Sequence, residues 1–111
     1  MTDVTKILLI EDNPGDVRLL REMLAEVAGA VLDLECADRL ASGLERLAAG
    51  DVDVVLLDLS LPDSQGLDTF RRTQAQAPHG PLVVLSGLDD EALGLKAVRE
   101  GGEEYLVKGK F

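Results

Sequence analysis

Val54-Val55-Leu56-Leu57-Asp58-Leu59-Ser60-Leu61-Pro62-Asp63-Ser64-Gln65-Gly66 is the stretch whose reading decides the fold. An apolar run from Val54 to Leu57 meets a carboxylate, and turn-forming residues follow at once. An apolar run bounded by turn signals predicts a strand buried on both faces, as in a parallel sheet. Asp58 then stands at the carboxyl end of a central strand, where open α/β sheets place their chemistry. A charge so near a core is costly unless compensated, so its compensation must come from elsewhere in the chain.

Working outward, Lys6-Ile7-Leu8-Leu9-Ile10 is a second apolar run, and it ends in Glu11-Asp12. Asn13 is a good helix N-cap and Pro14 suits the first helical position. Asp16 falls in the first turn, where a negative charge suits the helix dipole. Val17, Leu20, Leu24 and Val27 form one apolar stripe, which predicts a helix ending near Ala28-Gly29. Val31 to Ala37 alternates apolar and polar residues, the pattern of an edge strand, with Cys36 packed within it. Asp38 is positioned to cap a second helix carrying Leu40, Leu44 and Leu47 on one face, with Gly50 at its end. After the opening stretch, a third helix begins at Gly66-Leu67 and is terminated by Pro78-His79-Gly80-Pro81, with His79 in the loop. Leu82 to Leu85 is another buried strand, ending in Ser86-Gly87. Asp89-Asp90-Glu91 opens a fourth helix that Gly101-Gly102 closes, and Glu104-Tyr105-Leu106-Val107 leads to Lys108. Asp51, Asp53, Asp63, Asp89 and Asp90 read as caps and solvated turns. Strand and helix therefore alternate as (βα)₄β, which predicts an α/β doubly wound parallel sheet formed by a single domain, residues 1–111.

Composition narrows the class. The chain has 111 residues and one cysteine, which rules out an intrachain disulfide and a cysteine-based zinc site. The N-terminus lacks a signal-peptide pattern, and no apolar run approaches the roughly 18 residues of a membrane span. A formal charge of −10 argues against direct binding to nucleic acid, which needs clustered Lys and Arg. The expectation is a cytoplasmic domain with no membrane partner.

In a parallel sheet the strand ends share one edge, so Glu11, Asp12, Asp58, Ser86 and Lys108 converge there. The formal charges of Glu11, Asp12, Asp58 and Lys108 sum to −2, which a bound Mg²⁺ would neutralise. An aspartate so placed can act as a nucleophile toward phosphorus and form an acyl phosphate. Lys108 would pair with one phosphoryl oxygen and the Ser86 hydroxyl could donate to another. Singly, each feature has an ordinary reading: acidic residues where a strand meets water, a surface lysine, a turn serine, a strand aromatic at Tyr105. It is their conjunction at strand ends that points to a site.

These motifs resemble the receiver domain of two-component response regulators. Lys6 to Asn13 resembles the family's first strand with its acidic pair, and Leu56 to Gly66 its phosphoacceptor strand and loop. Val84-Leu85-Ser86-Gly87 is similar to the switch-hydroxyl element, and Tyr105-Leu106-Val107-Lys108 to the aromatic-and-lysine element. The resemblance runs from Lys6 to Lys108 and implies a flavodoxin-like five-stranded sheet of order 2-1-3-4-5. It also implies that Asp58 accepts phosphate from a phosphohistidine on a sensor histidine kinase or histidine phosphotransfer protein. Asp12 and Asp58 would ligate Mg²⁺ or Mn²⁺ directly, Glu11 through water, and the Ser60 backbone carbonyl would add a ligand. Ser86 and Tyr105 would switch the surface of helix four and strand five. Such a chain is a phosphoacceptor that supports its own phosphorylation and slow autodephosphorylation, rather than a turnover enzyme.

Two departures from that pattern stand out. Gly109 follows Lys108 where the family most often has a cis proline, and a non-proline cis bond costs about 2.5–4 kcal/mol, so a trans bond is expected. The fifth helix of the family is missing, which predicts an apolar sheet face beside helix one that a homodimer or rearranged oligomer would cover. Gly94 inside helix four costs roughly 1 kcal/mol against alanine and makes that helix the least stable. Two other functions compete. One is an aspartyl-nucleophile phosphatase, which usually has a second aspartate where Ser60 stands; the other is an interaction module that is never phosphorylated.

Overall fold

The structure, a computed structural model, describes residues 4–27, 29, 31–76 and 80–109. Five strands form its sheet: β1 (Val4–Ile10), β2 (Val31–Ala37), β3 (Val54–Asp58), β4 (Leu82–Ser86) and β5 (Glu104–Val107). Their order is β2-β1-β3-β4-β5 and every pairing is parallel, as expected. Four helices connect them: α1 (Pro14–Ala25), α2 (Leu40–Ala48), α3 (Leu67–Gln76) and α4 (Glu91–Arg99).

Side-chain alternation along each strand divides the core in two. Ile7 and Leu9 of β1, Leu56 of β3 and Leu85 of β4 pack with Leu20 of α1 on one face. Leu8, Ile10, Val55, Leu57 and Val84 face the other way, onto Leu40, Leu47, Phe70 and Ala97 of α2, α3 and α4. Central strands apolar at every position are therefore required, because both of their faces are covered. On the α1 side the expected exposed face is only partly realised. Leu9 and Leu85 are fully buried and Leu56 is 8% exposed, so among the described residues of the sheet Leu106, at 37%, is the large apolar side chain left exposed on that face.

Several local expectations are corrected. Helix α1 ends at Ala25, and Val27, placed on its apolar stripe, is exposed; its expected end at Ala28 lies outside the described residues. Asp38 does not cap α2. Arg39 occupies the N-cap position without a capping side chain, and Asp63 reaches back from the loop after β3 instead. Its carboxylate accepts from the Leu40 N–H at 2.7 Å and the Ala41 N–H at 2.9 Å. Cys36 is exposed rather than packed. A 3-10 turn, Leu88–Asp90, precedes α4. Pro78 and His79 lie outside the described residues.

The loop after β3 has its own order. Ser60–Leu61 pairs antiparallel with Ser64–Gln65 as a two-residue hairpin. Gly66 then turns the chain into α3 at φ +76°, a left-handed conformation that glycine adopts without steric cost. The hairpin follows directly on the strand that carries Asp58, and its Ser60 N–H donates to the Asp58 carboxylate.

Candidate phosphoacceptor site

The site is assembled by strand ends in register. Asp58 pairs with Leu85, and Ser86 pairs with Val107, so Asp58, Ser86 and Lys108 terminate three adjacent strands. The ladder runs one step further through the Lys108 N–H, which donates to the Ser86 carbonyl at 2.8 Å. On the other side, the Glu11 N–H donates to the Ala37 carbonyl at 2.9 Å and continues β1 against β2. Asn13 caps α1 through its side-chain oxygen, which accepts from the Gly15 and Asp16 N–H groups.

Glu11 and Asp58 are 2% and 3% exposed, whereas Asp12 is open to solvent. The Lys108 ammonium crosses the edge to both buried carboxylates, 2.5 Å from Glu11 Oε2 and 2.8 Å from Asp58 Oδ2. The Ser60 N–H donates to Asp58 Oδ1 at 3.0 Å, and the Asn13 N–H donates to Glu11 Oε1 at 3.0 Å. Burial pushes the Glu11 carboxyl up to about 7, and the neighbouring Asp58 carboxylate adds to that; Lys108 and the Asn13 N–H pull the other way and lose. Burial alone would lower the Lys108 pKa, but the hydrogen bond to Asp58 and the ion pair with Glu11 outweigh it and hold the ammonium above its ordinary value. Buried carboxylates whose charge is only partly compensated are what a cation would complete. Ligand oxygens of Glu11, Asp12 and Asp58 lie within 4.8 Å of one another, close enough for one divalent ion. Exposed Asp12 leaves room for the several waters that Mg²⁺ retains.

Ser86 is buried, and among the described residues its Oγ has no hydrogen-bond partner. Tyr105 is half-buried against the α4 side of the core. Between them lies Gly94, buried in α4, where a Cβ would meet Tyr105 Cδ2 at 2.9 Å and Ser86 Oγ at 3.2 Å. Sequence reasoning gave Gly94 a part in helix stability only; the structure makes it the space in which the ring and the hydroxyl sit. It also missed Asp16, whose Oδ2 lies 3.1 Å from Lys108 Nζ. The available signal was its position one helical turn beyond Asp12. The Lys108–Gly109 peptide is trans, as expected.

Residues 7–110 match the family model described as response regulator receiver domain. The chain belongs to that family. Among curated relatives it is 34% identical over 103 residues to the transcriptional regulatory protein CusR of Escherichia coli K12, covering 93% of this chain and 44% of CusR. It is 32% identical over 108 residues to the transcriptional regulatory protein ResD of Bacillus subtilis 168, covering 96% of this chain and 43% of ResD. The chain thus spans under half the length of these relatives. Among solved structures, a response regulator receiver domain protein from Clostridium thermocellum superposes with a TM-score of 0.77 at 28% identity, over 96% of this chain and 84% of that one. The signal receiver domain of an HD domain-containing protein from Pseudomonas fluorescens Pf-5 gives 0.78 at 28% identity, over 97% and 78%. Receivers are the signalling modules of two-component systems. No helix among the described residues of this receiver is long and apolar enough to cross a membrane.

Proposed function

We propose that this receiver accepts a phosphoryl group on Asp58 from a phosphohistidine of a sensor histidine kinase or histidine phosphotransfer protein. The observation that carries the reading is the buried Asp58 carboxylate, held by Lys108 at 2.8 Å and flanked by Glu11 and Asp12 within metal-sharing distance. A carboxylate oxygen of Asp58 attacks the phosphorus, the P–N bond of the donor breaks, and its electron pair returns to the imidazole nitrogen. The product is an acyl phosphate. Asp12, Asp58 and the Ser60 carbonyl would hold Mg²⁺ or Mn²⁺, with Glu11 acting through water. When bound, the ion supplies charge neutralisation for the incoming phosphoryl oxygens.

This chain's own residues do the rest. The Ser60 N–H fixes the orientation of the Asp58 carboxylate. Lys108 transfers its hydrogen bond from the free carboxylate to a phosphoryl oxygen. Ser86, buried and unpartnered among the described residues, donates its hydroxyl to another. Movement of Ser86 changes the space beside Gly94 into which the Tyr105 ring fits, and so carries the event to the surface of α4 and β5. The domain supports its own phosphorylation and slow autodephosphorylation, with the output in whatever it regulates.

Acetyl phosphate with Mg²⁺, followed by intact mass, tests the reading. One phosphoryl adduct that is absent from Asp58→Asn is expected. Rapid turnover without an adduct would favour an aspartyl phosphatase, and no reaction would favour a module that acts by binding alone.

A further inference from the structure

Asp16 has no part in the chemistry above, yet its carboxylate is turned to Lys108 at 3.1 Å. Its place in the first turn of α1 does not explain this, because Asn13 Oδ1 already takes the N–H groups of Gly15 and Asp16. An ammonium group has three N–H donors. Among the described residues three carboxylates surround the Lys108 ammonium: Glu11, Asp58 and Asp16 are all ion-paired with it, and it donates a hydrogen bond to Asp58. Glu11 and Asp58 are locked in the core, with side chains 0% and 4% exposed, whereas the Asp16 side chain is 29% exposed and stands at the mouth of the site. Asp16 thus has two effects of the same sign. It holds the lysine ammonium in an ion pair that a phosphoryl oxygen must compete with, and it adds a negative charge where an anionic donor must enter.

We propose that Asp16 is a positioning residue that restrains Lys108 and slows phosphoryl transfer to Asp58 from anionic donors. The inference rests on Asp58 being the phosphoacceptor. Asparagine at this position keeps a hydrogen-bond acceptor for Lys108 but removes the charge, alanine removes both, and glutamate keeps the charge. The rate of adduct formation from acetyl phosphate at saturating Mg²⁺ is measured for wild type, Asp16→Asn, Asp16→Ala and Asp16→Glu across a range of ionic strength. Asp16→Asn and Asp16→Ala are expected to react roughly three- to tenfold faster than wild type, the scale of one partly exposed counter-charge. Asp16→Glu is expected to restore the slow rate. The wild-type rate should also rise with added salt more steeply than that of Asp16→Asn, a dependence that a merely structural residue would not alter. An Asp16→Asn rate at or below wild type overturns the proposal. So does a normal Asp16→Asn with a slow Asp16→Ala, which would mean that Asp16 aims the lysine instead of withholding it. A wild type that takes no adduct overturns the phosphoacceptor reading itself, and this inference with it.

Discussion

Gly94 and Tyr105 approach so closely that a Cβ on residue 94 would lie 2.9 Å from the tyrosine ring. Helix propensity alone favours Gly94→Ala by roughly 1 kcal/mol. Against that, displacing a packed ring near its rigid Cγ end costs typically about 1–3 kcal/mol, and Ser86 Oγ stands 3.2 Å away on the same side. The contact wins. Gly94→Ala is expected to lose roughly 1 kcal/mol in urea denaturation and to change the near-UV circular dichroism of Tyr105, the one tyrosine in the chain. A stabilised variant with an unchanged tyrosine signal would contradict this. In the parent protein the glycine should also leave α4 exchanging amide hydrogens faster than α1; equal protection would count against that.

Asp63 ties the loop after β3 to the start of α2. Its carboxyl is held below the ordinary value by the backbone N–H groups of Ala41 and Leu40. A lowered carboxyl pKa stabilises the fold above the unfolded value of about 3.8, and that stabilisation is lost as pH falls through the still lower folded value. Asp63→Ala is expected to lower the urea midpoint at neutral pH without changing the m-value, and Asp63→Asn, which keeps one of the two acceptor oxygens, is expected to fall between Asp63→Ala and wild type. Equal midpoints for Asp63→Ala and wild type would remove the capping role.

Glu11 predicts the opposite pH trend. Its carboxyl is raised from 4.5 to about 7 by burial first and by Asp58 second. The folded state then binds more protons than the unfolded state between those values, so stability without divalent cation falls as pH rises from about 4.5 to 7. The upper bound of this loss is about 3 kcal/mol. Thermal unfolding of Glu11→Gln should show a flatter profile across that window. Saturating Mg²⁺ should flatten the wild-type profile too, because a cation bound at Glu11, Asp12 and Asp58 favours the ionised form. A parallel pair of profiles for wild type and Glu11→Gln would refute the assignment.

Lys108 supplies the countercharge for two buried carboxylates. Removing one partner of a buried pair costs about 3–5 kcal/mol, because the remaining charge has no compensation. Lys108 is itself 19% exposed in its side chain, so the lower end applies. Lys108→Ala at pH 7 is expected to lose roughly 3 kcal/mol and to recover part of it on addition of Mg²⁺. Unfolding followed with and without the metal separates this from ordinary truncation, which the ion would not relieve.

How much of this was legible depends on whether the cause was local. The runs Ile7-Leu8-Leu9-Ile10, Val54 to Leu57 and Leu82 to Leu85 announce strands covered on both sides, and α2–α4 with α1 provide that cover. Once the sheet is parallel, its strand ends must meet, so Glu11, Asp58, Ser86 and Lys108 could be brought together from sequence. Asp63 could not, because its hydrogen-bond partners on α2 lie 22 and 23 residues away and a capping rule looks only at neighbours such as Asp38. Val27 continued the periodicity of α1, but periodicity does not record where the covered surface stops. Asp16 offered an adequate local explanation in the helix dipole, which concealed its reach across the sheet edge.

The Ser86 hydroxyl gives the resting domain an uneven balance sheet. A buried polar group left without a partner costs about 1–3 kcal/mol, and Ser86 Oγ has none among the described residues. An acceptor oxygen that comes within its reach offsets that cost through the hydrogen bond it accepts. If Asp58 is phosphorylated as proposed, the Ser86 hydroxyl would favour the phosphorylated domain over the free one by part of that amount.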